Sequence, residues 1–190
     1  MGRWPSWQRD LAVVAGCVVL GLLGMRGERV PLLGLVDLGF HELGHLFGYL
    51  LPVGELVTAA AGSFTQVAVP IGLAIYFLVG RHDRIGGAVC LAWAATSALD
   101  ASRYIADAPF ERLELIGGDH DWAFFFSADG IDAMHRAAGV ADTVSTLGWI
   151  LYAAAFVVAL WPLTLLWEEQ DERSSSAGAF EPIGRRTYER

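Results

Sequence analysis

Two histidines bracket a glutamate in His41-Glu42-Leu43-Gly44-His45. In a helix, positions i and i+4 stand on one face, so both imidazoles can bind the same ion. Zinc accepts neutral imidazole nitrogens at about 2.0–2.1 Å and, in catalytic sites, keeps one coordination position open for water. Glu42 is placed to take a proton from that water and pass it to a leaving group. With five histidines and ten glutamates in the chain, chance alone produces the pattern about 0.007 times, a modest false-positive risk.

The surroundings sharpen this reading. The stretch LVDLGFHELGHLFGYLL, Leu35 to Leu51, suits hydrocarbon yet carries Asp37, His41, Glu42 and His45. Ionisable side chains inside a span cost at least about 2.5–3.5 kcal/mol each for Asp, Lys and Arg, and they mark functional sites. The competing explanation is a buried helix whose polar groups pair among themselves. Asp37, one turn before His41, is placed to accept the free ring N–H of a ligating histidine and fix its tautomer; otherwise it is a solvated carboxylate near the helix entrance. Gly44 and Gly48 form a small-xxx-small pattern that lets another helix approach closely.

A catalytic zinc needs a third protein ligand, and depth narrows the choice. His45 sits seven residues before Pro52, about 10 Å below that face of the membrane. Asp100, seven residues before Asp107, reaches a similar depth on a later span. Ser97, Asp100, Tyr104 and Asp107 make one polar stripe there, and Arg103 can pair with either carboxylate. The second source is GGDHDW, Gly117 to Trp122, a loop emerging on the same face. Irregular backbone is tolerated at membrane depth when buried in protein. His120 is the first choice for third ligand, with Asp100 and Asp121 as alternatives. His82 lies on the opposite face, and His135 falls in an amphipathic stretch that suits a surface. Ser63, Thr65 and Gln66 can line the cavity or bond helices together.

These residues need elements to hold them, and the composition says which. Of 190 residues 54% are hydrophobic and 18% charged, with a mean hydropathy of +0.43. A soluble domain carries about 25% charge. A small integral membrane protein fits better. All 13 basic residues are arginine, the net charge is −8, and no basic patch points to nucleic acid. Cys17 and Cys90 each lie in an apolar run, without the spacing of a metal site or a disulfide framework. At the N-terminus, MGRWPS fits an acylation pattern and Val14–Cys17 a lipoprotein box. The first requires a eukaryotic cell, and the second has too short an apolar stretch before it.

About 20 apolar residues cross a bilayer. On that measure the chain predicts an all-α, polytopic membrane bundle of about five helices. The spans are Leu11–Met25, Gly34–Leu51, Val57–Gly80 with a kink at Pro70, Ile85–Ala106 and Thr143–Trp167. A long polar connection, Asp107–Asp142, joins the fourth to the fifth and holds the aromatic run Trp122–Phe126, suited to the membrane interface. Ile131–Ala138 reads as a short amphipathic helix within it. Residues 1–167 form the membrane domain, and 168–190 read as a disordered polar tail. Arginine counting does not orient the bundle, and no transporter-type repeat is visible.

A helix-borne HExxH in a multi-spanning protein resembles the site-2-protease class of intramembrane zinc metallopeptidases. That class takes its third ligand from an L-D-G aspartate; here Leu99-Asp100-Ala101 lacks the glycine. The chain is more similar to a group of small bacterial membrane proteins that share the motifs GSFTQ at Gly62–Gln66, YIADA at Tyr104–Ala108 and GGDHDW at Gly117–Trp122. The likeness covers about Leu35 to Trp122. It implies a bacterial cytoplasmic-membrane protein with His120 or Asp121 in the site, and it supplies no substrate.

The chain is thus expected to be a membrane-embedded zinc hydrolase, foremost a peptidase, with Zn2+ on His41, His45 and His120 and with Glu42 as general base. Asp37, Gln66, Tyr104 and Asp107 would line or support the site. Membrane lipid surrounds it, and a transmembrane protein or a lipid is the substrate. The alternatives are a zinc-dependent lipid amide or ester hydrolase and a non-enzymatic metal-binding protein. Loss of function in Glu42→Gln separates the enzymes from the last.

Overall fold

A computed structural model of the chain describes residues 6–26, 30–115 and 119–178, with side chains as far as Trp161 except those of Ser6, Trp7, Met25 and Pro31. Among the described residues there are helices and turns but no strand. Apolar runs fold this way because a helix satisfies every backbone group within its own segment.

The helices are α1 Ser6–Arg26, α2 Pro31–Leu50, α3 Glu55–Ile75, α4 Arg84–Asp107, α5 Asp121–Phe126 and α6 Ala137–Gly178. Pro31 stands in the first turn of α2, where its missing N–H is no loss. α3 contains Pro70 and runs on as a π-turn, Tyr76–Gly80. The chain divides into two units, residues 1–159 and 160–190.

Three helical stretches are long and apolar enough to cross a membrane: Glu55–Gly80, Arg84–Asp107 and Met134–Trp161. They cover the third, fourth and fifth expected spans, while the first and second expected spans coincide with α1 and α2. The expected separate amphipathic helix at Ile131–Ala138 does not form. Met134–Arg136 is instead one 3-10 turn leading directly into α6. Ala137 and Ala138 are strong helix formers, and no proline separates the turn from the helix. Helix also continues past Trp167 to Gly178, through a Glu-, Gln- and Arg-containing stretch that favours it. Residues 179–190 of the expected tail lie outside the described residues, as do the glycines of the 117–122 loop.

Two hairpins build the frame for the site. α2 turns into α3 through Leu51–Gly54, where Gly54 takes φ +82°, a conformation that favours glycine. α3 turns into α4 at Asp83, whose Oδ1 accepts the N–H groups of Ile85 and Gly86 at 3.1 and 3.2 Å and caps α4.

α2 and α3 lie close because side chains are missing between them. A Cβ at Gly44 would run into the Ala61 carbonyl, and one at Gly48 would meet Thr58 Oγ1 at 2.7 Å. This antiparallel contact sets His45 against Thr58 and His41 against Gly62 and Gln66.

α4 packs through buried Ala88, Ala92, Ala94, Ala95, Ala98 and Ala101, small residues that permit close approach. Ala92 meets Cys17 of α1 and Ala155 of α6 in one cluster, and both cysteines are free and buried. A second cluster joins Ile105, Ala108 and Phe126 to Ala133, Ala137 and Ala141, holding α5 against the end of α4 and the start of α6.

Candidate metal centre

α2 presents His41 and His45 on one face, with ring centroids 4.7 Å apart. Each ring donates its Nδ1 proton to a fixed acceptor. His45 Nδ1 lies 2.9 Å from the Thr58 carbonyl oxygen, which can only accept. His41 Nδ1 lies 2.9 Å from Gln66 Oε1. The Gln66 amide is itself oriented, because its Nε2 donates to the Ser97 carbonyl at 3.2 Å. Both Nδ1 atoms are therefore engaged, and each ring turns its Nε2 toward the other.

Those two nitrogens meet a carboxylate. Asp121 Oδ2 stands 3.2 Å from His41 Nε2 and 3.3 Å from His45 Nε2. Burial works against the charge on Asp121, but the two imidazoles and the Tyr104 hydroxyl hold its carboxyl well below the usual carboxylate range. Two ring nitrogens and a carboxylate oxygen thus converge with both Nδ1 protons engaged elsewhere. Such a cluster requires a cation, either a proton or a metal ion. Two ligands about 2.1 Å from a tetrahedral zinc stand about 3.4 Å apart, so the spacing fits the ion. These three residues are the one group of this kind among the described residues.

Gly62 leaves the room. A Cβ there would meet His41 Nε2 at 2.5 Å and His45 Nε2 at 2.6 Å. Thr58, Gly62, Ser63 and Gln66 recur on one face of α3. Thr58 and Gln66 steer the imidazoles, Gly62 clears their tips, and Ser63 Oγ accepts the Trp122 indole N–H at 3.0 Å.

Tyr104 of α4 fixes Asp121, donating to Oδ2 at 3.0 Å and accepting the Asp121 backbone N–H at 2.9 Å. The side chains of His41, His45 and Asp121 are 11%, 12% and 23% exposed, so the group is sheltered without being sealed.

His120, the expected third ligand, does not join the two histidines; its neighbour Asp121 does. The reason is local. His120 caps α5, with Nδ1 accepting the Ala123 N–H at 3.2 Å, and its Nε2 faces Asp107 Oδ2 at 3.5 Å. Asp100 is half-buried and lines a small cavity with Asp37, Thr96 and Arg103, apart from the triad.

Asp37 does not bond His41 as expected. Its Oδ1 accepts the Trp93 indole N–H and the Ser97 hydroxyl, both at 2.7 Å. Gln66 takes the role assigned to Asp37. The carboxylate acts at one remove, holding the residue whose carbonyl orients Gln66. Arg103 donates to the Gly24 carbonyl at 3.0 Å.

Glu42 is exposed, and its charge acts on both His45 and Tyr104. His82 and His135 are exposed and stand outside the group.

Sequence reasoning missed the Thr58 carbonyl and the missing side chain of Gly62. It also ranked His120 above Asp121. A polar cap followed by an acidic first turn and the run Trp122–Phe126 is a helix-start signal, and it would have assigned the His120 ring to the cap.

No family model matches the chain, and no curated protein or solved structure does either.

Proposed function

We propose that this chain is a membrane-embedded, zinc-dependent hydrolase of the bacterial cytoplasmic membrane that cleaves peptide bonds, with Glu42 as general base. One observation carries the reading: His41 Nε2, His45 Nε2 and Asp121 Oδ2 converge while both Nδ1 protons are engaged elsewhere. Two imidazoles and a carboxylate, leaving a position for water, are a donor set that suits catalytic zinc.

Five helices cross the membrane in this proposal, α1 and α2 beside the three apolar stretches. The outward side chains support it. Leu32, Leu35, Val36, Leu46, Phe47 and Leu50 of α2 are exposed, as are Leu11, Val18, Val19 and Leu22 of α1. Apolar surface of this extent suits lipid rather than water.

The residues divide the work by position. His41 and His45 hold the ion through Nε2, kept in the right tautomer by Gln66 and Thr58. Asp121 supplies the third ligand and offsets part of the ion's charge. When bound, the ion acidifies water and polarises a carbonyl. Glu42, next to His41 and free of burial, receives the proton released as water attacks and delivers it to the departing amine. A substrate within the bilayer must first unwind, because an intact helix keeps its carbonyls bonded.

The test is Glu42→Gln in purified protein, offered membrane-inserted peptides. The reading expects zinc to be retained and cleavage to be lost. Hydrolysed lipid with intact peptide would move the substrate to lipid amides or esters. Unaltered function in Glu42→Gln, with loss in His41→Ala, would make the centre a binding site only.

A further inference from the structure

We propose that His120 and Asp107 form a clasp that presents Asp121 to the ion, so that His120 is a positioning residue and not a ligand. This rests on the metal centre proposed above and goes beyond it, because neither residue touches the two α2 histidines.

The geometry begins with the brevity of α5, which has six residues and too few internal hydrogen bonds to hold itself in place. Asp121 is its first residue, so whatever fixes the start of α5 fixes the ligand. His120 does this in three ways. Its Nδ1 caps α5 through Ala123. Its ring stacks on Tyr104, with centroids 4.3 Å apart and planes 25° from parallel. Because Nδ1 accepts, the proton of the neutral ring lies on Nε2, and that N–H faces Asp107 Oδ2 at 3.5 Å.

The His120 side chain is 1% exposed, and its Nε2 has no hydrogen-bond partner among the described residues. A buried N–H is drawn to the carboxylate it faces, here Asp107.

Asp107 is the other half. It ends α4 and lies one helical turn beyond Tyr104. Its Oδ2 accepts the N–H groups of Arg112 and Leu113, each at 2.9 Å. The same carboxylate therefore gathers the start of the connection and, through His120, its return. Tyr104 then grips Asp121 on the neighbouring turn. The last turn of α4 is the template on which the third ligand is set.

Second-layer partners of this kind typically alter metal affinity by about 10- to 100-fold when removed. The test uses the full chain in detergent, titrated with Co2+ by its visible d–d absorption and with Zn2+ by competition. Wild type is compared with His120→Asn, His120→Ala and Asp107→Asn. Asparagine still caps a helix, so His120→Asn keeps the cap while losing the Asp107 contact and the stack on Tyr104. Asp107→Asn leaves both the cap and the stack in place, and either serves if His120→Ala fails to fold.

The clasp predicts one ion per chain and an unchanged cobalt spectrum in every variant. Affinity should fall about 10-fold in His120→Asn and Asp107→Asn and about 100-fold in His120→Ala. Wild-type affinity in all three, even with lowered thermal stability, would overturn it. A changed spectrum or lost stoichiometry in His120→Asn would make His120 a ligand and overturn it as well. Absence of saturable binding by wild type would instead remove the metal centre, and the clasp with it.

Discussion

Tyr104 and Asp121 are joined at two points: the phenol donates to Oδ2 at 3.0 Å and accepts the backbone N–H of the same residue at 2.9 Å. A single hydroxyl thus sets both the main chain and the carboxylate of the third ligand. Tyr104→Phe should keep one ion per chain while weakening zinc about 10- to 100-fold, measured by competition with a chromophoric chelator. Equal affinity would show that Asp121 is held by other contacts.

Gly62 offers a steric test that leaves every donor in place. Alanine favours a helix by about 1 kcal/mol over glycine, so Gly62→Ala gives α3 no reason to unfold. Its Cβ would nevertheless lie 2.5 Å from His41 Nε2 and 2.6 Å from His45 Nε2. We expect helical circular dichroism to be retained and bound zinc to be lost.

Asp37 should matter more for stability than for the ion. Asp37→Ala strips the acceptor from the Trp93 indole and the Ser97 hydroxyl inside the bundle. An orphaned buried donor costs about 1–3 kcal/mol. Thermal unfolding in detergent should shift down accordingly, with stoichiometric zinc still bound below the transition.

The pH dependence has a definite sign. Asp121, its carboxyl held well below the usual range, stays ionised throughout the accessible window and contributes no slope. The imidazoles must be neutral to bind metal, so protons and zinc compete for the two Nε2 atoms. Between about pH 8 and about pH 5 zinc affinity should fall as the pH is lowered, by at most two protons per ion. Calorimetric titration across that range measures it, and a pH-independent affinity would contradict histidine ligation.

Much of this arrangement was legible in the residues alone. The i, i+4 spacing of His41 and His45 placed them on one face whatever surrounded α2. The apolar runs located α2, α3 with its π-turn, and α4 to within three residues at each end, and they found α1 and α6 while leaving both short. The Gly44 and Gly48 pattern announced the close approach of a partner helix, which is α3.

What was not legible depends on contacts that no periodicity encodes. Neighbouring His120 and Asp121 follow a two-glycine loop, and spacing does not tell them apart; the cap of α5 claims one and Tyr104 the other. Asp37 shares a stripe with His41, yet its partners Trp93 and Ser97 come from α4. The helix continues past Trp167 because propensity in 168–178 outweighs polarity.

The most direct test of the central claim is the metal content of detergent-purified protein. Wild type should be set beside His41→Ala, Asp121→Ala and Asp100→Ala, prepared without chelator and with zinc supplied. The account predicts about one zinc per chain in wild type and Asp100→Ala, and none in His41→Ala or Asp121→Ala. Zinc absent from wild type, or retained in full by Asp121→Ala, would contradict it.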